Sequence, residues 1–412
     1  MKKSSILIGK FVRRVARLKG GGSALPGLVV EKIDRNFLRD TLNSLPEGVV
    51  VVSGTNGKTT TTKIIVELLR SQGLKVFTNS SGSNFVRGVI AAILENINPS
   101  GRFDFDIAVL ELDEAHAVRF VKVVKPKYAL LLNVMRDQLD RFGEIDTTAK
   151  LLAQIAEATT GKVIINREDR RLSKIKSKAA VKYFGLSHRL LGEFPEDDEM
   201  FSEHHFPVSG KSPKAEVVFA DFKRDTAVYE IGGERFEASL KLDGIYNFYN
   251  AAGALLMAHE ILPKSSVGDL MKALSKVESA FGRGEIITSH GEKVQLLLVK
   301  NPSGFQLSLK SFGKRNYKTM IAINDQYADG RDMSWLWNVD FRILKNVDVV
   351  SGVRAYDMAL RLKYDEVHFD KIEEDLAAAT EKFMRLKGKK QIFCTYTAML
   401  EIRKILNGRS LE

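Results

Sequence analysis

Lys58 stands in the stretch VVSGTNGKTTTTK, residues 51–63, between a β-branched apolar run and a helical pattern. A strand, a tight turn and a helix in that order form a phosphate-binding context. Backbone N–H groups of the turn and the helix N-terminus face an anion, and Lys58 reaches the outer phosphates of a nucleoside triphosphate. Thr59 or Thr60 can place a hydroxyl on a magnesium ion. Gly54 and Gly57 let the backbone approach closely, with Thr55 and Asn56 between them. The common pattern G-x-x-x-x-G-K-[ST] wants its first glycine at position 52, which is Val52. The glycine stands at Gly54 instead, so the stretch is either a chance match or a nucleotide site of a different subclass.

The elements around this loop must hold it at a sheet end. EGVVVVSG, KVFTNS, FDIAVLEL, YALLLNV and GKVIIN are short apolar runs with helical patterns between them. That alternation predicts a doubly wound α/β domain with a mainly parallel sheet. Ahead of it, GLVVEKIDRNFLRDTLNSL reads as a short strand and then a helix. Residues 186–240 change from polar and irregular to an antiparallel alternation around Gly232–Gly233, which predicts a small β insertion. NFYNAAGALLMAHEIL predicts a helix. After AFGRGE the alternation restarts with VQLLLVK, KTMIAIN, VDVVSG, EVHFD and KQIFCTYT, a smaller Rossmann-like domain. The organisation expected is a lead-in over 1–45, an ATP-binding domain over 46–285 and a C-terminal domain over 286–412.

The chain has 412 residues, 44% hydrophobic and 28% charged, with a net charge of +12. These numbers exclude a disordered chain and favour an anionic partner. No recognition motif or aromatic-interleaved basic stripe points to nucleic acid. One cysteine, Cys394, excludes an internal disulfide and a cysteine metal cluster. It lies in a buried-strand pattern with no glycine beside it, which suits packing rather than nucleophilic catalysis. The first acidic residue is Glu31, and MKKSSILIGKFVRRVARLKGGG has its apolar residues at helical spacing, interrupted by basic ones. Neither a secretory core nor a membrane span fits. Two readings stay open for this helix: packing on the body with a solvated basic face, or docking on an anionic membrane surface.

Several segments carry a resemblance. GTNGKT, VLELDEA, LLNVMRDQLDRFGE, INREDRRL, GIYNFYNAAGA and FGRGE together resemble the Mur ligase and folylpolyglutamate synthase superfamily. The resemblance implies ATP and magnesium as ligands, with Thr59 and Glu111 on the metal. Asp113 and Glu114 are further acids at the same strand end. It implies Asn250 near the adenine and Arg283 near the γ-phosphate. Asn133, Asp137, Asp140 and Arg141 match a family signature in which Gln138 replaces a histidine, a poorer ligand for a second metal. Asn166 and Asp169 match a further segment.

GGGSALPGLVVEKIDRNFL, RDQLDRFGEID, VKNPSGFQ, DQYADGRDMSWLWNVDF, SGVRAYDMALRLKY and TYTAMLEIR narrow the likeness to the MurT subunits of lipid II isoglutaminyl synthases. The fold this implies is a Mur-ligase-like P-loop ATPase domain followed by the smaller α/β domain. The activity it implies is ATP-dependent amidation of the α-carboxylate of D-glutamate in the lipid II stem peptide, through an acyl phosphate. The ammonia would come from a GatD-like class I glutaminase bound to the C-terminal domain. Asp332, or else Asp329, would complete that partner's Cys–His pair, and Trp335 and Trp337 stand beside them. Many MurT chains carry a four-cysteine zinc ribbon; this chain lacks the cysteines, so no zinc is expected, and His204 and His205 are adjacent rather than spaced as ligands. The implied location is cytoplasmic, at the inner face of the cell membrane. Two alternatives remain: another amide ligase of the superfamily, or a nucleotide-binding scaffold subunit.

Overall fold

The computed structural model describes residues 2–18, 25–79, 85–135, 145–194, 213–242, 244–278, 283–289, 291–313 and 316–408. Three helices lead in: α1 (Lys3–Leu18), α2 (Leu25–Ile33) and α3 (Phe37–Leu42). The short strand expected near residues 27–31 is instead part of α2. Val29 and Val30 favour a strand only as isolated residues. Tertiary packing overrides that preference, because α2 buries Pro26, Gly27 and Val30. A Cβ on Gly27 would lie 2.0 Å from the carbonyl oxygen of Arg87, so only glycine allows this approach.

The main sheet then forms from β1 (Gly48–Ser53), β2 (Val76–Thr78), β3 (Ile107–Glu111), β4 (Tyr128–Leu131), β5 (Lys162–Asn166) and β6 (Ala180–Leu186). The helices α4 (Lys58–Ser71), α5 (Val86–Asn96), α6 (Glu114–Val123) and α7 (Ile145–Ala158) alternate with the strands. Both faces of β1 are covered, so Val49 to Val52 are all buried. That is why its sequence is a continuous apolar run rather than an alternating one.

The antiparallel strands expected before residue 240 do form, as β7 (Val217–Lys223), β8 (Thr226–Ile231) and β9 (Glu234–Ser239). They join the main sheet rather than closing on themselves, because β7 pairs in parallel with β6. Among the described residues the sheet has nine strands in the order β2-β3-β1-β4-β5-β6-β7-β8-β9. Phe219 and Tyr229 turn to the same core as α8 (Ile245–Ile261), and the Tyr229 hydroxyl donates to the carbonyl of Phe248. Helix α9 (Val267–Leu274) follows. The polar stretch 195–212, with His204 and His205, lies outside the described residues.

A second sheet starts with β10 (Arg283–Ser289) and β11 (Glu292–Leu298), followed by α10 (Pro302–Ser308) and β12 (Lys318–Ala322). Next come β13 (Asn346–Val347), β14 (Val349–Ser351), α11 (Ala355–Tyr364), β15 (His368–Phe369) and β16 (Ile372–Glu373). Helix α12 (Leu376–Met384), β17 (Lys390–Cys394) and α13 (Tyr396–Leu406) complete it. The order is β10-β11-β17-β12-β14-β16, parallel except for β10, while β13 and β15 pair apart. Cys394 is fully buried in β17, and burial pushes its thiol well up, away from the reactive thiolate.

Candidate active site

In the main sheet β1 runs between β3 and β4, so the strand order reverses there. Open α/β sheets bind ligands beyond the carboxyl ends of strands at such a reversal. The loop Gly54–Gly57 leaves β1 at that end, and two neighbours squeeze it. Gly54 has φ +133°, and a Cβ there would lie 3.0 Å from the backbone N and O of Asn133. Gly57 has φ +89°, and a Cβ would lie 2.6 Å from Nδ2 of Asn250 on α8. The two glycines are therefore required by space and by backbone conformation together.

The loop is tied down from the side of β4. Asn133 Oδ1 accepts from the N–H of Asn56 at 2.9 Å, and its Nδ2 donates to the Asn56 carbonyl at 3.0 Å. The Thr55 hydroxyl accepts from the N–H of Met135 at 3.0 Å. Behind this wall, Asp169 accepts from the N–H groups of Val134, Arg171 and Leu172, and Asn166 donates to the carbonyl of Leu132. Asn166 and Asp169 thus shape the chain that shapes the loop.

Lys58 opens α4 and is only 7% exposed. Its Nζ donates to the carbonyls of Gly54 at 2.5 Å and Thr55 at 3.2 Å, and stands 3.5 Å from Oε1 of the buried Glu114. The cation is held under the loop by oxygens that cannot leave. Beside it, the Thr59 hydroxyl donates to Glu111 Oε1 at 2.8 Å. Glu111 ends β3, and Asn79 grips its backbone on both sides, accepting from its N–H and donating to its carbonyl. The Thr60 hydroxyl is buried with no hydrogen-bond partner among the described residues, so Thr59 is the threonine that meets the acid. A hydroxyl and a carboxylate side by side are two hard oxygen donors. They fit magnesium, which takes few protein ligands and completes its shell with phosphate and water.

The second domain closes the site. The loop faces a cleft lined by Asn56, Gly57, Asn250, Tyr246, Lys300 and Ser311, among others. Asn301 caps α10, with Pro302 at its first position, and accepts from the N–H of Gly304 at 2.7 Å. The same side chain donates from Nδ2 to Asn56 Oδ1 at 3.2 Å, tying the C-terminal domain to the phosphate loop.

The structure therefore brings together Gly54, Thr55, Asn56, Gly57, Lys58, Thr59, Glu111 and Asn250. Asp137, Gln138, Asp140 and Arg141 lie outside the described residues, as does the side chain of Arg283, whose backbone opens β10. Asp329 and Asp332 belong to another loop, after β12, and are not among the residues lining the cleft. Asn79, Lys300 and Asn301 were not singled out from the sequence. For Asn301 a signal exists, an asparagine immediately before a proline at a helix start. Asn79 and Lys300 carry none.

Residues 52–258 match the model of the Mur ligase middle domain, and residues 298–399 that of the MurT ligase C-terminal domain. The chain is 30% identical to the MurT subunit of lipid II isoglutaminyl synthase (glutamine-hydrolyzing) of Staphylococcus aureus, over 99% of this chain and 98% of the relative. Identity to the same subunit of Streptococcus pneumoniae is 28%, over 98% and 97% of the two chains. In fold it resembles the MurF ligase of Thermotoga maritima in complex with ADP, with a TM-score of 0.67, 19% identity and coverage of 92% and 85%. It also resembles the folylpolyglutamate synthase of Mycobacterium tuberculosis, with a TM-score of 0.62, 15% identity and coverage of 92% and 96%. With its Mur-type sheet, its shortened phosphate loop and this end-to-end likeness, the chain belongs to the MurT family of Mur ligases.

Proposed function

We propose that this chain is the ATP-using subunit of a glutamine-dependent amide synthase. Its substrate would be the α-carboxylate of D-glutamate in the stem peptide of lipid II. The observation that carries the reading is the cluster of Lys58, Thr59 and Glu111 beside a loop whose Asn56 and Gly57 line the cleft and whose Asn56 is tied to Asn301 of the second domain. A carboxylate is a poor electrophile, and both it and ATP are anionic. Magnesium, held by Thr59 and Glu111, would draw charge from the phosphates and orient them. Lys58, fixed by two carbonyls and Glu114, offers a preorganised positive charge where negative charge develops. A carboxylate oxygen of the substrate takes the terminal phosphoryl group and ADP departs. The nitrogen of ammonia then bonds to the acyl carbon, phosphate leaves with the bonding pair, and the nitrogen gives up a proton.

The ammonia source would be a separate glutaminase of the GatD kind. Cys394 does not serve, because it is buried. In the loop after β12, both carboxylate oxygens of Asp329 are engaged, by the N–H groups of Thr397 and Gln326 and by the Thr397 hydroxyl. Asp332 is exposed, and hydrogen bonding to Ser334 holds its carboxyl below the usual range. Asp332 is therefore the better candidate to reach a partner's catalytic pair. Trp337, Tyr356, Leu360 and Tyr364 are all at least 46% exposed nearby, a surface of the kind a stable partner covers.

The test is ATP consumption by the purified chain with lipid II and ammonium. Amidated product at one ADP per amide is the expected result. Incorporation of a free amino acid instead would place the chain with the amino-acid-adding ligases, and no stimulation by either would leave only a scaffold.

A further inference from the structure

Helix α1 is amphipathic in an unusual sense. Apart from Ile6, the residues it buries are small, and most of its large apolar residues face away. Ser5, Ile6, Gly9 and Ala16 are buried against the body. The fit is tight: a Cβ on Gly9 would lie 2.7 Å from the side chains of Leu94 and Val30. On the opposite side Leu7, Ile8, Phe11, Val15 and Leu18 are exposed by 56, 44, 69, 37 and 83%. At 100° per residue these five fall within one arc of roughly 100°, the width of a contact stripe.

A helix that only covered the core would show the reverse arrangement. Along one flank of the stripe run Lys3, Lys10 and Arg14, while Arg13 turns inward and pairs with Glu95. No acidic residue occurs before Glu31. Lys10, Arg13, Arg14 and Leu18 line a shallow depression. Among the described residues no helix is long and apolar enough to cross a membrane.

From this geometry we infer that the outward stripe of α1 docks on an anionic lipid bilayer. The five apolar side chains enter the acyl boundary and the basic flank meets the headgroup phosphates. The inference rests on the proposed lipid-linked substrate for its purpose, since an enzyme acting on a membrane-bound carboxylate gains from being held at that surface. Its physical basis, the stripe and the charge beside it, is independent of that reading. A protein partner is the less favoured occupant, because the adjoining charge is of one sign and the stripe is narrow.

The experiment is co-sedimentation of the full chain with vesicles of phosphatidylglycerol and phosphatidylcholine, without lipid II. Binding is expected to anionic vesicles, to fall in 0.5 M salt, and to be at least about tenfold weaker on phosphatidylcholine alone. The double variant Phe11→Ser, Leu18→Ser should bind at least about tenfold less. Both positions are exposed, so its thermal midpoint and its amidation of detergent-solubilised lipid II should match the parent. Equal sedimentation of variant and parent overturns the inference. So does a parent that ignores anionic vesicles, and a parent whose stripe is instead covered in a dimer that the variant dissociates. Vesicle binding without amidation would overturn the function proposed above and leave the docking intact. Amidation without vesicle binding would do the opposite.

Discussion

The loop Gly54–Gly57 follows β1, and the loop holding Asp329 and Asp332 follows β12; each leaves the carboxyl end of a parallel strand. Their charges are arranged in opposite ways. In the first, Lys58 is nearly buried and turned onto the loop's own carbonyls, and Thr59 meets Glu111 beside it. In the second, the buried Asp329 is spent on holding the loop to Thr397, while Asp332 and Trp337 stand out in solvent. An inward, tied loop suits a small charged ligand that must be gripped to a fraction of an ångström. An outward acid beside exposed rings suits a macromolecule that brings its own groups. On that contrast rests the proposal that the first loop serves phosphoryl chemistry and the second meets the partner.

The strongest test of that division is Lys58→Ala. Removing one preorganised charge should lower kcat by roughly 10²–10³, and equally with glutamine or with ammonium as nitrogen source. Steady-state ADP release with each source checks it; unchanged turnover would remove Lys58 from the mechanism. Asp332→Asn should act on one source only. Glutamine-dependent amidation by the complex should fall about 10²-fold, the scale of lost assistance to a catalytic base, and ammonium-dependent amidation should persist. A parallel loss of both activities would contradict the separation of the two loops.

Asp329→Asn sharpens the contrast from the structural side. One of the two oxygens becomes an NH₂ group, so a donor then faces either the N–H of Thr397 or the N–H of Gln326 and the Thr397 hydroxyl, in a buried site. A stability loss of about 1–3 kcal/mol is expected, measured by denaturant unfolding. If Asp329→Asn abolished glutamine use without loss of stability, the roles of the two aspartates would be exchanged.

The two loops also differ in how far the sequence disclosed them. GTNGKT is legible because the physics of the first loop is local. Glycines, lysine and threonine lie within six residues, and the flanking strand and helix are adjacent in the chain. Glu111 and Asn250 were reached only through resemblance, since parallel crossovers bring them in from distant sequence. Asn79 and Lys300 were illegible for that reason: an asparagine gripping the backbone of a strand 32 residues away leaves no periodic trace. The choice between Asp329 and Asp332 was open because both sit in one polar stretch, and only burial and partners separate them. At the N-terminus the helical spacing of α1 was legible but its orientation was not. The period alone cannot say that Gly9 faces inward and Phe11 outward. The strand misread inside α2 failed for a related reason, because a close helix contact outweighed β-branched preference.

The smallest effect concerns the point where the two domains touch. Asn301 does two separate things: Oδ1 caps α10, and Nδ2 reaches Asn56. Asn301→Ala loses both and should cost about 1 kcal/mol, the usual value of a helix cap. Asn301→Asp keeps the cap, since a carboxylate oxygen can still accept from the N–H of Gly304. It replaces the donor to Asn56 with an acceptor facing an acceptor. That variant should keep its thermal midpoint within the error of the parent and still raise KM for ATP several-fold, because one tie on the phosphate loop is gone. Isothermal calorimetry with Mg·ATP separates the cases. If Asn301→Asp binds as tightly as the parent while Asn301→Ala only unfolds more easily, Asn301 is a cap alone. The phosphate loop would then owe its shape entirely to the middle domain, through Asn133 and Asn250.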